Sequence, residues 1–354
     1  MNYKTKVKHD SAKKIDLLLA DMPRFVRTYV NAREGAVSSS TLLNYVRHIS
    51  AFFAYLTYER TSDFKDVQKM TVFDLSKFTV HDFEDFVHAV RNGYFSDGKI
   101  LSEKSVNGYI SALSSLYAYF VRIQEIPVNV PALLERRKVK KARHVVHLDV
   151  QDSRRFIDSV NGGWGLSDVQ RRYFANLSAR DTAICAVLLR TGIRVSELVG
   201  LNLSDVDFKE CSISVIRKRD KPDIVYFDGY TEACLKVYLK ERASYKPAKD
   251  EQALFLVSLG KYKGQRLSVR SVENLVKKYA MAAGVSEAAK ITPHRLRATF
   301  AHDMLAATGG DLNLVQQALD HERPETTVVY LDERRDVLKK NRNLLSSYIN
   351  GQTE

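Results

Sequence analysis

Apolar residues recur every three or four positions through SSSTLLNYVRHISAFFAYLTYE (38–59), at Leu42, Tyr45, Val46, Ile49, Phe52, Phe53 and Leu56. That period lines one stripe of a helix, and the serines ahead of it are good N-cap residues. LSEKSVNGYISALSSLYAYFVRI (101–123) repeats the form, with Ser102 as cap and Val106, Tyr109, Ile110, Leu113, Leu116, Tyr117 and Phe120 in the stripe. A shorter helix is predicted within DLSKFTVHDFEDFVHAVRNG (74–93), capped near Thr79 and ended by Gly93. Such aromatics are more often core than a base-stacking surface.

The pattern then changes. VPALLERRKVKKARHVVH (130–147) sets Arg136, Arg137, Lys138, Lys140, Lys141 and Arg143 close together, with no apolar period beyond Leu134. This reads as a basic linker over 136–146, between a helical domain (1–135) and a second domain (147–354). It is either a strap along phosphates or a solvated charge run. In the second domain, ARDTAICAVLLRTGIRVSELVGL (179–201) predicts an apolar helix broken at Thr191-Gly192 and then a second helical stretch. CSISVIRKRDKPDIVYF (211–227) alternates on both sides of a polar turn, which is a hairpin pattern. Three more helices are predicted within 231–245, 268–284 and 292–309. The fold class is therefore mainly α (α+β): a helical N-terminal domain, then a mostly helical domain with a small antiparallel sheet.

The 354 residues suit two domains, and 45% hydrophobic content with 27% charge suits a chain with real cores. No apolar run approaches membrane-spanning length, and MNYKTKVKHD lacks a signal-peptide stretch, so the expected location is cytoplasmic. Cys185, Cys211 and Cys234 lie far apart with no CxxC, which argues against disulfides and structural zinc and for small apolar core residues. A net charge of +13 favours an anionic partner such as DNA, RNA or acidic lipid. Arg47, Lys104 and Asn107 on the first-domain helices are candidate DNA contacts, together with Arg137, Lys138, Lys140 and Lys141 of the linker.

Four local patterns bear on chemistry. Arg194 follows the Thr-Gly break, and Glu197 one turn later can hold its guanidinium. His294 and Arg297 lie at i, i+3 in TPHRLRATF, on one helix face behind Thr292-Pro293. Lys218 sits at the hairpin tip between Arg217 and Arg219. In ALDHERPETTVVYLDERR (318–335), His321 precedes Tyr330 by nine positions. Taken singly, each has an ordinary structural reading: an ion pair, a helix-end histidine, a turn lysine, a core tyrosine. Together they supply what phosphodiester chemistry without a metal needs. Arginines and histidines neutralise a pentacoordinate phosphorane, a tyrosine hydroxyl attacks phosphorus, and a lysine protonates the leaving oxygen. No acidic triad at convincing spacing suggests a metal-dependent transposase.

The residues TGIRVSELVGLNLSDVDF, ISVIRKRDK, PHRLRATFA and LDHERPETTVVYLD, in that order and spacing, resemble the tyrosine recombinase (phage integrase) family, and its Xer-type members most. The resemblance covers the whole second domain and, more loosely, the first. It implies that Arg194, Arg297 and His321 clamp the scissile phosphate and that Lys218 is the general acid for the 5′-oxygen. It further implies that His294 assists in removing the tyrosine proton and that Tyr330 is the nucleophile, with no metal and no cofactor. The implied partner is double-stranded DNA carrying inverted-repeat sites, gripped by both domains and bound by a homo-tetramer. The tail 332–354 would dock on a neighbouring protomer, or else pack on its own domain. A type IB topoisomerase-like enzyme and a non-catalytic DNA-binding protein are the alternatives.

Two departures stand out. Where the family often has Gly-Lys-Gly in the hairpin, this chain has Arg217-Lys218-Arg219, which stiffens the turn or brings extra charge to DNA. Lys221 is a weaker rival for the acid. Ala298 stands where the family often has a second histidine, outside the reacting six.

Overall fold

The computed structural model describes residues 3–59, 66–137, 146–217, 220–248 and 251–319. The chain divides into two compact units, residues 1–141 and 142–354.

The described part of the first unit is all helical: α1 (Tyr3–Leu19), α2 (Arg24–Arg33), α3 (Ser39–Glu59), the single turn α4 (Val72–Leu75), α5 (Val80–Arg91) and α6 (Glu103–Arg122). The predicted caps are in place. Ser102 Oγ accepts the Ser105 N–H, and Asp82 accepts the N–H of Thr79 at 2.7 Å at the start of α5. Both predicted stripes face inward: Val46, Ile49 and Phe52 on α3, and Leu113, Leu116 and Tyr117 on α6, are fully buried, while Tyr45 and Tyr109 pack half-buried against them. Phe52 is surrounded by the rings of Phe53, Phe78, Phe83 and Phe86 at 5.2–5.6 Å, so these aromatics form a core rather than a stacking surface. Tyr117 keeps its hydroxyl satisfied by donating to Leu75 O at 3.0 Å.

The second unit opens with α7 (Val150–Gly162) and α8 (Asp168–Phe174), then α9 (Ser178–Thr191) and α10 (Val195–Gly200). A three-stranded antiparallel sheet follows, in the order β1 (Val206–Asp207), β2 (Ser212–Ile216), β3 (Pro222–Tyr226). The predicted hairpin is β2–β3, with Ile213 opposite Val225 and Ile216 opposite Pro222. Last come α11 (Gly229–Arg242), α12 (Val269–Ala282), α13 (Pro293–Ala307) and α14 (Leu312–Leu319). α9 is the central element: α7, α11 and α13 all pack on it, and its residues from Ala183 to Leu188 are at most 4% exposed. A helix wrapped by neighbours is apolar all round, which explains why its stripe is indistinct in the sequence.

Cys185 is buried there, whereas Cys211 and Cys234 are half-buried, and all three are free thiols. Burial pushes the Cys185 thiol well up. Among the described residues no helix is both long and apolar enough to cross a membrane.

Candidate active site

α9 ends at Thr191, whose hydroxyl donates back to Val187 O at 2.7 Å. The chain leaves the helix through Gly192 at φ +62°, in the left-handed region. A Cβ there would lie 2.3 Å from Cδ1 of Phe300 on α13, so conformation and close approach both call for glycine. This sharp exit lets α10 begin at once, with Arg194 at its N-cap.

Glu197 fixes that arginine as the sequence predicts. Its Oε2 accepts the Arg194 backbone N–H at 2.8 Å, and its Oε1 accepts Nη1 at 2.8 Å. The Arg194 side chain remains 35% exposed while that of Glu197 is 4% exposed. The acid is thus buried under a cation that still reaches solvent, the disposition expected of an anion-binding group held from behind. Behind α10, Arg266 Nη1 donates to Val199 O and Leu201 O, both at 2.9 Å, and Nη2 donates to Asn202 Oδ1. Nothing in QRLSVR distinguishes this arginine from a surface one, because its role depends on carbonyls some 65 residues away.

α13 starts as predicted, with Thr292 at the N-cap and Pro293 in the first turn. His294 is exposed on that turn. Arg297, one turn on, is 3% exposed. Its Nη1 donates to Gly192 O and its Nη2 to Leu319 O. One guanidinium therefore links the turn before Arg194 to the end of α14, two positions ahead of His321 in the chain. Backbone carbonyls satisfy the charge that burial would otherwise penalise.

The hairpin separates the two readings of Arg217, as a residue that stiffens the turn or one that brings extra charge to DNA: it is 2% exposed, which corrects the second and fits the first. Its Nε donates to Asp223 Oδ2 at 2.9 Å and its Nη1 to Glu197 Oε2 at 3.0 Å. The buried Glu197 carboxylate needs more than the half-exposed Arg194 beside it, and Arg217 supplies a second cation while also reaching the partly exposed Asp223. Lys221 stands at the foot of the turn, its carbonyl accepting the Arg217 N–H at 2.7 Å. Lys218, Arg219, His321, Tyr330 and the tail 332–354 lie outside the described residues.

In the first unit, α3 and α6 meet where the His48 ring stacks on Tyr109 at 4.1 Å. Arg47 and Asn107 flank that contact in sequence. Arg47 and Lys104 are exposed, and Asn107 donates to Arg137 O at 3.1 Å. Arg137 Nη1 pairs with Glu103 at 3.4 Å, so the start of the basic segment lies along the first turn of α6. Lys138, Lys140 and Lys141 lie outside the described residues.

Comparison with known proteins agrees with this layout. Residues 24–124 match the phage integrase N-terminal SAM-like domain, and residues 166–336 match the phage integrase family. Tyrosine recombinase XerS of Streptococcus thermophilus is 30% identical over 353 residues, covering 92% of this chain and 97% of the relative. XerS of Streptococcus uberis is 30% identical over 355 residues, covering 92% and 98%. Among solved structures, the post-cleavage complex of XerH site-specific recombinase with palindromic difH substrate superposes with a TM-score of 0.64 at 21% identity, over 90% of this chain and 83% of the other. The Tn1549 transposon integrase bound to circular intermediate DNA gives 0.60 at 19% identity, over 89% and 98%. Those two likenesses establish the fold. The XerS identity, sustained over nearly the full length of both proteins, goes further: the chain belongs to the tyrosine recombinase (phage integrase) family.

Proposed function

We propose that this protein is a site-specific DNA recombinase that cuts and rejoins strands through a covalent link to Tyr330. The tyrosine oxygen attacks the scissile phosphorus, an O–P bond forms to Tyr330, and the P–O5′ bond breaks. Lys218 delivers a proton to the departing 5′-oxygen, and His294 takes the proton lost by the phenol. A free tyrosine titrates near pH 10, so the cationic surroundings must stabilise the phenolate as it forms. Arg194, Arg297 and His321 neutralise the charge that builds on the non-bridging oxygens. The phosphotyrosyl link conserves the energy of the broken bond. Attack by another strand's 5′-hydroxyl then reverses the step without ATP.

The observation that carries this reading is the buried pair of bonds from Arg297 to Gly192 O and Leu319 O. They draw together the turn that bears Arg194 and the end of α14 at Leu319, segments far apart in sequence. The basic composition and the DNA-bound complexes of XerH and the Tn1549 integrase support duplex DNA as the partner. On this reading a tetramer acts in the cytoplasm on two inverted-repeat sites. Arg47, Lys104, Asn107 and the 136–143 segment meet the phosphates, and tail 332–354 docks on a neighbouring protomer.

The decisive experiment uses a nicked suicide duplex and a denaturing gel. Tyr330→Phe should bind DNA as the wild type does and form no covalent band. A band that persists in the variant removes Tyr330 from its role.

A further inference from the structure

The recombinase reading leaves Arg217 without a task, and its surroundings are unusual for a turn residue. It directly precedes Lys218, yet its side chain is only 1% exposed. Nε reaches across the hairpin to Asp223 at 2.9 Å, and Nη1 reaches out of the hairpin to Glu197 at 3.0 Å. Glu197 is the same carboxylate that holds Arg194, through both its backbone N–H and its guanidinium.

We propose that Arg217 is a positioning residue that locks the Lys218 hairpin to the phosphate-binding Arg194 through their shared partner Glu197. The inference rests on the recombinase reading above. Its physical basis is the rigid fork of the guanidinium. One prong is fixed on the opposite strand and another on α10, so any swing of the hairpin against α10 must break a charge-assisted bond in a dry setting. The N–H of Arg217 also closes the turn on Lys221 O at 2.7 Å, which fixes the backbone next to the lysine. A flexible lysine stem gains most from such an anchor, because proton transfer to the leaving oxygen requires hydrogen-bond distance at the moment of cleavage.

Stability alone is a poor explanation for this cluster. Among the described residues Arg217 Nη2 is buried without a hydrogen-bond partner, and apolar replacement of buried ion pairs is often neutral or favourable. Arg217 also balances the charge. Arg194 and Arg217 offset Glu197 and Asp223, so Glu197 does not spend its whole charge on Arg194.

The test compares single-turnover covalent trapping of full-length wild type and Arg217→Met on two suicide duplexes. One has an ordinary 5′-bridging oxygen and the other a 5′-bridging sulfur, which leaves without protonation. Arg217→Met should slow the oxygen substrate by ~10–100-fold, the scale of a misplaced catalytic group. On the sulfur substrate it should react within about threefold of wild type, following the leaving-group dependence of general-acid catalysis. Arg217→Lys should fall between, since one ammonium cannot serve both carboxylates in fork geometry. Asp223→Asn takes the charge from the strand prong alone, weakening it, and covers the case in which the methionine variant melts early. It should show a smaller defect with the same sulfur rescue. Equal loss on both substrates, or an undiminished rate on oxygen, overturns the inference. A wild-type protein that forms no adduct on either duplex would instead sink the recombinase reading.

Discussion

Among the described residues from 3 to 137, the buried side chains are apolar apart from Ser11, and a continuous set of rings fills the interior. From 146 onward the interior holds Asp152, Arg180, Asp181, Glu197, Arg217, Arg242 and Arg297 as well as an apolar core. The contrast follows from what each unit has to do on the proposed reading. A unit that offers helix surfaces to a duplex needs only a firm scaffold, which hydrophobic burial supplies. A unit that stabilises a charged phosphorane must hold cations in fixed directions, and that takes buried carboxylates and carbonyls behind them.

Not every buried charge in the second unit serves chemistry. Asp181 accepts from Arg180 at 2.7 Å, from Lys278 at 3.0 Å and from the Tyr279 hydroxyl at 3.0 Å. Burial, and then the neighbouring Asp181 charge, push the Tyr279 phenol far up, so it stays a neutral donor. This knot sits at the N-terminal end of α9, whereas the Gly192–Arg194 turn sits beyond its C-terminal end. The helix is thus pinned by structural charges at one end and, on the proposed reading, presents the phosphate-binding Arg194 at the other.

The comparison can be broken at four points. Asp181→Ala should have an effect as large as any, about 3–5 kcal/mol, because it strands the buried Arg180 and the half-buried Lys278. Hydrogen exchange should show the loosening within 142–354. The double replacement Arg180→Met with Asp181→Leu should cost less than the single one. A more costly double would mean the knot is net stabilising. Phe52→Ala should cost about 3–5 kcal/mol as well, through an unfilled cavity among four rings, with the loosening within 1–141. Melting curves joined with exchange data would separate the two, and a loss spread evenly over both units contradicts the division.

Gly192→Ala comes next. Its left-handed φ and the contact with Phe300 together should cost about 2–4 kcal/mol. Covalent trapping at a temperature where the variant is folded should slow as well, because the Arg194 turn shifts; an unaltered rate would show the turn adapts. Smallest is Asp16→Ala, which removes the Arg27 pair, more than half exposed on both sides. Its effect on the melting curve should be within about 1 kcal/mol.

Legibility in the sequence divides along the same line. The first-unit helices α3, α5 and α6 were readable with their caps, because period and cap are local properties. α1 was not, since among its described side chains only Ser11, Ile15 and Leu19 are buried, too few to mark a stripe among its lysines. β1 was also missed, as two residues give no alternation to read. In the candidate site, Arg194, Glu197, His294 and Arg297 could be picked out because each pair falls within one helical turn. The fate of Arg217 could not, because a turn arginine beside a lysine looks solvent-facing until the fold brings Glu197 twenty positions nearer the N-terminus to meet it.

By itself, then, the sequence determined what short-range geometry encodes: helix periods and caps, the hairpin, the break at Thr191-Gly192, and the ordered residues that mark the family. Tertiary structure alone decided which charges leave water. Burial and ion pairing depend on groups that meet only after the chain has folded: Arg297 with the carbonyls of Gly192 and Leu319, Arg266 with the end of α10, and Arg217 with two carboxylates from different elements. Desolvation makes such meetings costly unless every partner is present, so no local stretch of sequence can specify them.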